Sequence, residues 1–475
     1  MAGKFKITGS AAAWIALALL VVPMFGSYFF DDMFSTVSNI FNDPSALQLG
    51  WGQDEYGKYT SGYSILCIFG GLVLCGMLLD RWGVRITGSI FVGLMVAGAG
   101  MVTWALVSGL PAAQSLNVAW AGCMVFGLGS EIAGVAVTRS IAKWFKGRNM
   151  AFAMGLQLAI ARLGTATAFL LSPVLIQQKV AAVAGAAPAV YTLAETARPA
   201  FFGMMLLFVG AIFWAVFVAM DARFDRESRQ LAAGEGPVKN EENEGAPSNE
   251  QFRFRDVLKV LGNPNWWLLA LLCVFFYSSI VAFKKFTGAI LVPRFGVSAG
   301  IAGLMATILP FSTVVFAPLF GLMVDRRGHG TRWMVFGAVL ALAAHLVLAF
   351  APSGNAFWGY AAMVLLGFSY SLVPAALWPS VPKVIPDRML GTAFALIYWV
   401  QNLGLWGFKR FAGRILESTH GSANSADAVG NLGNSPLLNV ELLFLAVCVA
   451  ALVLAILFAA SSRRHPELAL DKANR

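Results

Sequence analysis

The sequence predicts an all-α membrane protein with twelve transmembrane helices arranged in two pseudo-symmetric six-helix bundles. Three observations support this prediction: the composition, the number of long apolar stretches, and a short motif that occurs once in each half of the chain. Hydrophobic residues make up 58% of the 475 residues and charged residues only 12%. Because a soluble protein carries about 25% charged residues, most of the surface of this protein must face lipid.

Twelve apolar stretches have about the length of 20 residues that a helix needs to cross a bilayer. They are the spans 10–30, 57–79, 87–109, 117–138, 149–173, 200–220, 265–288, 299–324, 333–351, 357–378, 390–413 and 437–461. The first span follows two lysines, as in a secretory signal, but no small-residue cleavage site closes it. We therefore interpret it as a retained first helix.

The positive charges alternate between the loops. Most of the 34 lysines and arginines fall in the N-terminal segment, in every second loop and in the C-terminal segment. The positive-inside rule makes this face cytoplasmic, so we expect both termini inside the cell. The net charge of +10 then reflects topology, and we predict the lipid bilayer, not nucleic acid, as the macromolecular environment. The cysteines and histidines show no ligand spacing, so we predict no metal site and no cofactor.

The chain divides into four regions. Residues 1–220 form the predicted N-terminal bundle and residues 264–461 the C-terminal bundle. Residues 221–263 are charged and rich in Gly, Pro and Asn, which predicts a cytoplasmic linker, and residues 462–475 form a cytoplasmic tail. Within the linker, "FRFRDVLKVL" has the pattern of a short amphipathic helix.

The two halves share a motif in the loop after their second span. "GMLLDRWGVR" begins at residue 76 and "GLMVDRRGHG" at residue 321. A second pair, "KWFKGRNMAFAMGLQLAIARLG" and "KVIPDRMLGTAFALIYWVQNLG", follows the fourth span of each half. Internal symmetry of this kind is typical of transporters whose substrate site lies near the middle of the membrane.

This repeated Gly-x3-Asp-Arg-x-Gly motif resembles that of the major facilitator superfamily across the whole chain. The resemblance implies that these loops latch the cytoplasmic ends of the two bundles together when the protein opens outward. The alternative is that the charges only anchor the loops at the membrane interface. The latch candidates are Gly76, Asp80, Arg81, Gly83, Arg85, Gly321, Asp325, Arg326, Gly328, Arg148 and Arg388.

Two charged residues lie inside predicted spans of the N-terminal half. Arg162 is near the centre of the fifth span, and Glu131 is in the fourth. A charge in the membrane normally faces a cavity and has a partner, because it is costly in lipid. At the rise of an α-helix, the two residues differ in depth by about 8 Å. They either pair with each other and hold the bundle together, or receive the ammonium and the carboxylate of a zwitterionic substrate.

Further matches narrow the resemblance to one branch of the superfamily. "NDPSALQ", "SEIAGVAVTRSIAKWFKGRNMAFAMGLQLAIARLG", "ALWP" and "GTAF…QNLG" are similar to the lysosomal dipeptide uniporters and their bacterial relatives. The resemblance implies that Glu131 and Arg162 bind the termini of a dipeptide. The chain departs from the branch by the insertion "DDMFSTVSNIF" after the first span.

Other substrate-binding candidates have less support. Lys284 and Lys285 either add a second cation for the carboxylate or extend to the outer interface. Asp31 and Asp32 end the first span, and we expect them to be solvated caps. The remaining candidates lie in the tenth and eleventh spans: Trp378, Tyr398, Trp399, Gln401 and Asn402.

The sequence therefore predicts a membrane transporter of dipeptides that works by rocker-switch alternating access, as a uniporter or a proton symporter. Glu131 is the only acidic residue that we place in the middle of the membrane, so it is the expected proton carrier. The alternatives are a carrier of small organic anions with the same fold and, with less support, a non-transporting receptor. No nucleophile–base pair or phosphate loop indicates an enzyme.

The expected location is the inner membrane of a bacterium. The sequence contains no Asn-x-Ser/Thr acceptor site and no acidic dileucine signal near its N-terminus, both of which a glycosylated lysosomal protein would show. We expect a monomer without an accessory subunit. Its expected substrate is a small molecule, a dipeptide whose side chains contribute little to recognition.

Overall fold

The computed structural model describes residues 10–145, 150–177, 190–234, 254–386, 389–417, 436–468 and 470–472. In these residues the protein consists of helices and connecting loops, with one isolated bridge between Leu47 and Tyr191. The N-terminal half contains α1 (Ser10–Asp32), α2 (Gln53–Leu66), α3 (Leu72–Val107), α4 (Ala112–Trp144), α5 (Met150–Ile176) and α6 (Leu193–Gly234). The rest contains α7 (Phe254–Leu261), α8 (Pro264–Tyr277), α9 (Phe283–Lys285), α10 (Thr287–Phe295), α11 (Ala299–Arg327), α12 (Gly330–Phe350), α13 (Ala356–Val384), α14 (Leu390–Glu417) and α15 (Pro436–Arg464).

Each of the twelve predicted spans lies on these helices, which confirms the predicted all-α fold. The second span runs from α2 through a π-helical turn at Cys67–Gly71 into α3, and α3 bends at Gly83 before it forms the third span. The seventh span is divided into α8, a π-helical turn at Ser278–Ala282, α9 and α10.

Ten helices of the described chain are long and apolar enough to cross a membrane. Helix α14 is not among them, and it carries Lys409, Arg410 and Arg414. The first part of the second span, α2, is also polar, with the sequence "QDEYGKYTSGYSIL". These two segments pack against each other, so their polar faces lie in the interface between the halves and not in lipid.

The two halves meet along two helix pairs, α2 with α14 and α5 with α11. Glycines bring the first pair into close contact. A Cβ atom on Gly413 would lie 2.5 Å from the carbonyl oxygen of Gln53 and 2.9 Å from the Cα atom of Gly57. Small residues permit such backbone contact between membrane helices.

A buried segment closes the end of the protein at which α1 ends and α2 begins. Ser35–Asn42, which begins in the inserted "DDMFSTVSNIF" and ends one residue after it, forms a 3₁₀ helix that we call the plug. The Thr36 hydroxyl donates to the carbonyl oxygen of Phe169 in α5 over 3.1 Å. From the other half, the Thr287 hydroxyl donates to the carbonyl oxygen of Ser35 over 3.0 Å, and a Cβ on Gly288 would lie 2.4 Å from the Thr36 carbonyl oxygen. We call this end of the protein the sealed end.

Helical segments occupy both ends of the predicted linker. Helix α6 continues to Gly234, past the predicted end of the bundle at residue 220. Its extension is held by the bundle, because Lys143 pairs with Asp221 at 2.8 Å and with Asp225 at 2.7 Å. The predicted amphipathic segment of the linker is helical as α7.

The last glycine of the repeated motif has a left-handed backbone in both halves. Gly83 has φ 74° and ψ 170°, and Gly328 has φ 66° and ψ −144°. A side chain is strained at such positive φ angles, which explains why the motif ends in glycine in both copies.

We expect Gly328→Ala to lower the stability of the protein by about 1–3 kcal/mol, because non-glycine residues rarely adopt its backbone conformation. The melting temperature in detergent measures this effect. Gly321→Ala is the matched control: the glycine lies in the same motif, its φ is not positive, and a Cβ there would meet nothing within 4 Å. Equal melting temperatures for the two variants would contradict the backbone explanation.

Candidate functional site

Glu131 lies on α4 beside a small polar cluster of the N-terminal half. The Tyr63 hydroxyl donates to Oε1 of Glu131 over 3.0 Å and also lies 3.2 Å from the Ser130 hydroxyl. The Ser130 hydroxyl lies 2.6 Å from that of Ser27 on α1. The hydrogen bond from Tyr63 fixes the position of the carboxylate. Because Glu131 is only half-buried, a ligand can still reach it.

Arg162 occupies the middle of α5, where it contacts both halves of the protein. Its Nη1 donates to the Tyr370 hydroxyl on α13 over 3.2 Å. Its guanidinium carbon lies 5.2 Å from the ring centroid of Tyr370 and 5.8 Å from that of Tyr28. The buried Nε has no hydrogen-bond partner. A guanidinium held by aromatic rings keeps its donors available for a carboxylate.

Glu131 and Arg162 do not form the direct ion pair that the sequence left open. Of the described residues, no carboxylate lies within 4.0 Å of the Arg162 guanidinium, and no cation lies within that distance of Glu131. A half-buried anion and a half-buried cation are therefore both unpaired. This arrangement suits a ligand that carries one charge of each sign.

An aromatic wall from the C-terminal half lies next to Arg162. It consists of Tyr277, Tyr370, Trp378 and Tyr398. Trp378 donates from Nε1 to the Tyr277 hydroxyl over 3.0 Å and stacks on Tyr398 with centroids 5.2 Å apart. Tyr277 and Tyr370 meet edge to face at 6.0 Å. The predicted candidates Trp378 and Tyr398 thus belong to one surface.

The sequence analysis missed four tyrosines of this region. Only nine tyrosines occur in the chain, and five of them surround the two charged residues: Tyr28, Tyr63, Tyr277, Tyr370 and Tyr398. The scarcity of tyrosine in a chain with 37 phenylalanines is the signal that would have identified them.

The other three candidates of α14 have different surroundings. Trp399 donates from Nε1 to the carbonyl oxygen of Ile68 over 2.6 Å, so it joins the two halves. Asn402 is buried and donates to the Tyr398 carbonyl oxygen of its own helix over 3.1 Å. The Oε1 atom of Gln401 lies 3.5 Å from the Cys273 thiol.

Lys284 and Lys285 form a buried ionic cluster with Asp31 and Asp32 at the sealed end. Lys284 pairs with Asp32 at 2.7 Å, and Lys285 pairs with Asp32 at 2.8 Å and with Asp31 at 2.7 Å. Thr165 donates to the same Asp32 carboxylate over 2.8 Å. The prediction of solvated caps was therefore wrong for Asp32, which is 1% exposed, because the lysines come from the other half of the chain. Neither lysine extends to the outer interface.

The sequence analysis also overlooked an acidic residue in the twelfth span. Glu441 is buried and lies 2.8 Å from Nδ1 of His345, whose Nε2 lies 3.2 Å from the Ser279 carbonyl oxygen. Glu131 is therefore not the only buried acid of the spans. The Ser279 carbonyl belongs to the π-helical turn of the seventh span, and such turns release backbone groups for other partners.

The latch candidates that the structure describes lie at the end opposite the plug. Arg81 and Arg326 are exposed. Arg85 lies 2.5 Å from Asp225 and 3.4 Å from Asp221, so both of its partners belong to its own half.

The other described latch candidates are three glycines and Asp325. Gly83 and Gly328 shape the backbone as described above, and a Cβ on Gly321 would meet no atom within 4 Å. Asp325 is exposed and has an interaction partner. Arg148, Arg388 and the side-chain environments of Gly76 and Asp80 lie outside the described residues.

Solved structures with a similar fold are transporters. The structure aligns with that of a D-xylose-proton symporter at a TM-score of 0.64 and 14% identity, over 95% of this chain and 97% of that protein. It aligns with the nucleoside transporter NupG at a TM-score of 0.63 and 14% identity, over 94% of this chain and 98% of NupG. At these identities the likeness concerns the fold alone.

Similar sequences carry a more specific name. The Lysosomal dipeptide transporter MFSD1 of Bos taurus is 31% identical over 418 residues, which cover 85% of this chain and 79% of the bovine protein. The Homo sapiens protein of the same name is 30% identical over 85% of this chain and 80% of its own length. The family model of the Major Facilitator Superfamily matches residues 24–406. With its helical fold and these transporter relatives, the chain belongs to the Major Facilitator Superfamily.

Proposed function

We propose that the protein carries dipeptides across a membrane by alternating access. The observation that carries this proposal is the pair of unpaired opposite charges, Glu131 and Arg162, beside an aromatic wall. The dipeptide transporters among its relatives support the same substrate class. In the proposed complex Glu131 binds the α-ammonium of the peptide and Arg162 its α-carboxylate.

The surroundings of the two charges support these roles. Among the described residues, the Glu131 carboxylate has one hydrogen bond, from Tyr63, and retains acceptor positions for an ammonium. The Arg162 guanidinium likewise has one described hydrogen bond, to Tyr370, and retains donors for two carboxylate oxygens. Because charged hydrogen bonds are the strongest of these contacts, the termini supply most of the affinity. The aromatic wall contacts the side chains of the peptide without selecting a particular polar group.

The structure corresponds to one state of the proposed cycle. The plug and the Asp32 cluster close one end, and the cross-bundle pairs of that cluster have to separate when this end opens. By the distribution of positive charge the sealed end is extracytoplasmic, so we assign this state as closed to the outside. In the opposite state the loops of the repeated motif come together as the latch. Lys284 and Lys285, released from the aspartates, then become available to the substrate carboxylate.

Transport is either uniport or proton symport in this proposal, and Glu131 is the group of the site that would exchange a proton for the substrate ammonium. We further propose a monomer in a bacterial inner membrane without an accessory subunit. The absence of any Asn-x-Ser/Thr acceptor site in the sequence supports this location, although the named relatives are lysosomal.

A ligand panel tests the proposal by thermal stabilisation of the purified protein, because a ligand of the folded state raises its melting temperature by mass action. We expect stabilisation by dipeptides with two free termini, and none by N-acetylated or C-amidated dipeptides. Glu131→Gln and Arg162→Ala should each lose at least about 90% of the affinity, since a charge-assisted contact contributes about 1.5–3 kcal/mol.

Two outcomes of the same panel decide against the proposal. Stabilisation by dicarboxylates that persists in Glu131→Gln would indicate an organic anion carrier, in which Glu131 only supports the structure. Equal binding of free and blocked dipeptides would show that neither Glu131 nor Arg162 binds a terminus of the substrate. Trp399→Phe serves as a control variant, because Trp399 bonds to Ile68 and not to the site.

A further inference from the structure

Lys409 is a buried cation with no carboxylate partner in the described part of the chain. It lies on α14 one turn from Gly413 and is 2% exposed. Its Nζ contacts the Thr60 carbonyl oxygen at 3.4 Å and lies 5.5 Å from the ring centroid of Tyr63. Among the described residues, no carboxylate lies within 4.0 Å of this ammonium group. An ammonium has three donors, so most of its bonding capacity is unused.

Three of the acids near Lys409 already have partners, and Glu131, on the far side of Tyr63, is the group proposed to bind the peptide ammonium. Asp31 and Asp32 bind Lys284 and Lys285. Asp54 is bound by Arg410, the neighbour of Lys409 on α14. A buried charge without a partner is strongly unfavourable. An anion that reached Lys409 would therefore bind more favourably than at an exposed lysine.

One side chain separates Lys409 from the proposed peptide site. The Lys409 ammonium lies over the face of the Tyr63 ring, and the Tyr63 hydroxyl donates a hydrogen bond to Glu131. A substrate ammonium bound to Glu131 competes for the carboxylate that holds this hydroxyl. Binding of the peptide therefore weakens the contact that keeps Tyr63 in front of Lys409.

We propose that Lys409 is a subsite for the side-chain carboxylate of an acidic residue at the first position of the dipeptide. This inference rests on the proposed function, because it places the α-ammonium of that residue on Glu131. In an N-terminal Asp or Glu, the side-chain carboxylate and the α-ammonium branch from the same Cα atom. The carboxylate of a C-terminal Asp or Glu lies instead beside the α-carboxylate, at the Arg162 end of the site.

The test compares the affinities of four dipeptides, Glu-Ala, Gln-Ala, Ala-Glu and Ala-Gln, by calorimetric titration of the full-length protein. Glu-Ala should bind about tenfold tighter than Gln-Ala, the size expected when one charge-assisted contact is gained. Ala-Glu should bind no tighter than Ala-Gln. A preference for both acidic peptides would indicate a general attraction of anions and overturn the subsite.

Variants of Lys409 connect the preference to this residue. Lys409→Met should abolish the advantage of Glu-Ala and leave the affinity for Gln-Ala unchanged, which also shows that the variant is folded. Lys409→Arg should retain the advantage. Lys58→Met is the matched control, because Lys58 also lies over an aromatic ring of this end, Trp120 at 5.0 Å, but bonds to Asn117.

The outcomes separate this inference from the proposed function. If the protein binds Gln-Ala but shows no preference for Glu-Ala, or keeps that preference in Lys409→Met, the subsite is refuted and the dipeptide function stands. If it binds neither Gln-Ala nor Ala-Gln, the dipeptide function fails, and the subsite fails with it.

Discussion

Asp32→Asn should be the most damaging single substitution at the sealed end, with a loss of about 3–5 kcal/mol, the cost of removing one partner from a buried ion pair. Asp32 is 1% exposed and neutralises two lysines. An amide retains the shape but not the charge, so Lys284 remains buried with no carboxylate. We expect a lower melting temperature and, at a cysteine introduced by Ile40→Cys in the plug, faster reaction with a water-soluble thiol reagent.

Two matched variants show whether charge is the cause. Asp31→Asn should have a smaller effect, because the Asp31 side chain is 27% exposed and binds only Lys285. Adding Lys284→Met to Asp32→Asn should restore much of the stability, since it removes the cation left without a partner while Lys285 keeps Asp31. If the double variant is no more stable than Asp32→Asn alone, the ionic cluster does not explain the loss.

Gly413→Leu should prevent the sealed end from closing and reduce dipeptide uptake into proteoliposomes to background. The Cβ atom of any other residue at this position would lie 2.5 Å from the Gln53 carbonyl oxygen, so α2 and α14 would have to separate. Overpacking of about 3 kcal/mol shifts the balance between two conformations about 100-fold. The thiol reaction at the Ile40→Cys position should accelerate, as an indicator that is independent of the substrate.

Gly407→Leu is the control for this substitution. Gly407 lies on the same helix, and the nearest atom to its Cβ would be Phe411 Cε2, at 3.9 Å. We expect normal uptake and slow thiol reaction in this variant. Normal uptake in Gly413→Leu as well would show that the contact between α2 and α14 is not required in the transport cycle.

The sequence alone was sufficient to predict the fold and to identify the two charged residues of the site. Helix length, apolar composition and the repeated motif depend on local sequence, and all twelve spans follow from them. Arg162 and Glu131 were identifiable because a charge is rare inside an apolar span. For the same reason Lys409 should have been noticed, but it lies near the predicted end of its span at residue 413, where lysines are common.

The contacts between the halves were not predictable from local sequence. Asp32 and Lys284 are separated by more than half of the chain, and each by itself resembles a residue at the end of a helix. The partners of Arg162 are also distant, since Tyr370 belongs to the other half. No periodicity or composition indicates which end of the protein is closed, because that depends on how the two bundles pack.

The polarity of α2 and α14 has a consequence for how the protein is made. A nascent chain enters the membrane from its N-terminus, so α2 is synthesised long before α14, the helix against which it packs. Until then the α2 segment, with Asp54, Glu55 and Lys58, has only its own half to shield it from lipid. We expect its stable insertion to depend on its early neighbour α4 and to be completed only when the second half arrives. The polar interface between the halves should thus also be the last part of the protein to mature.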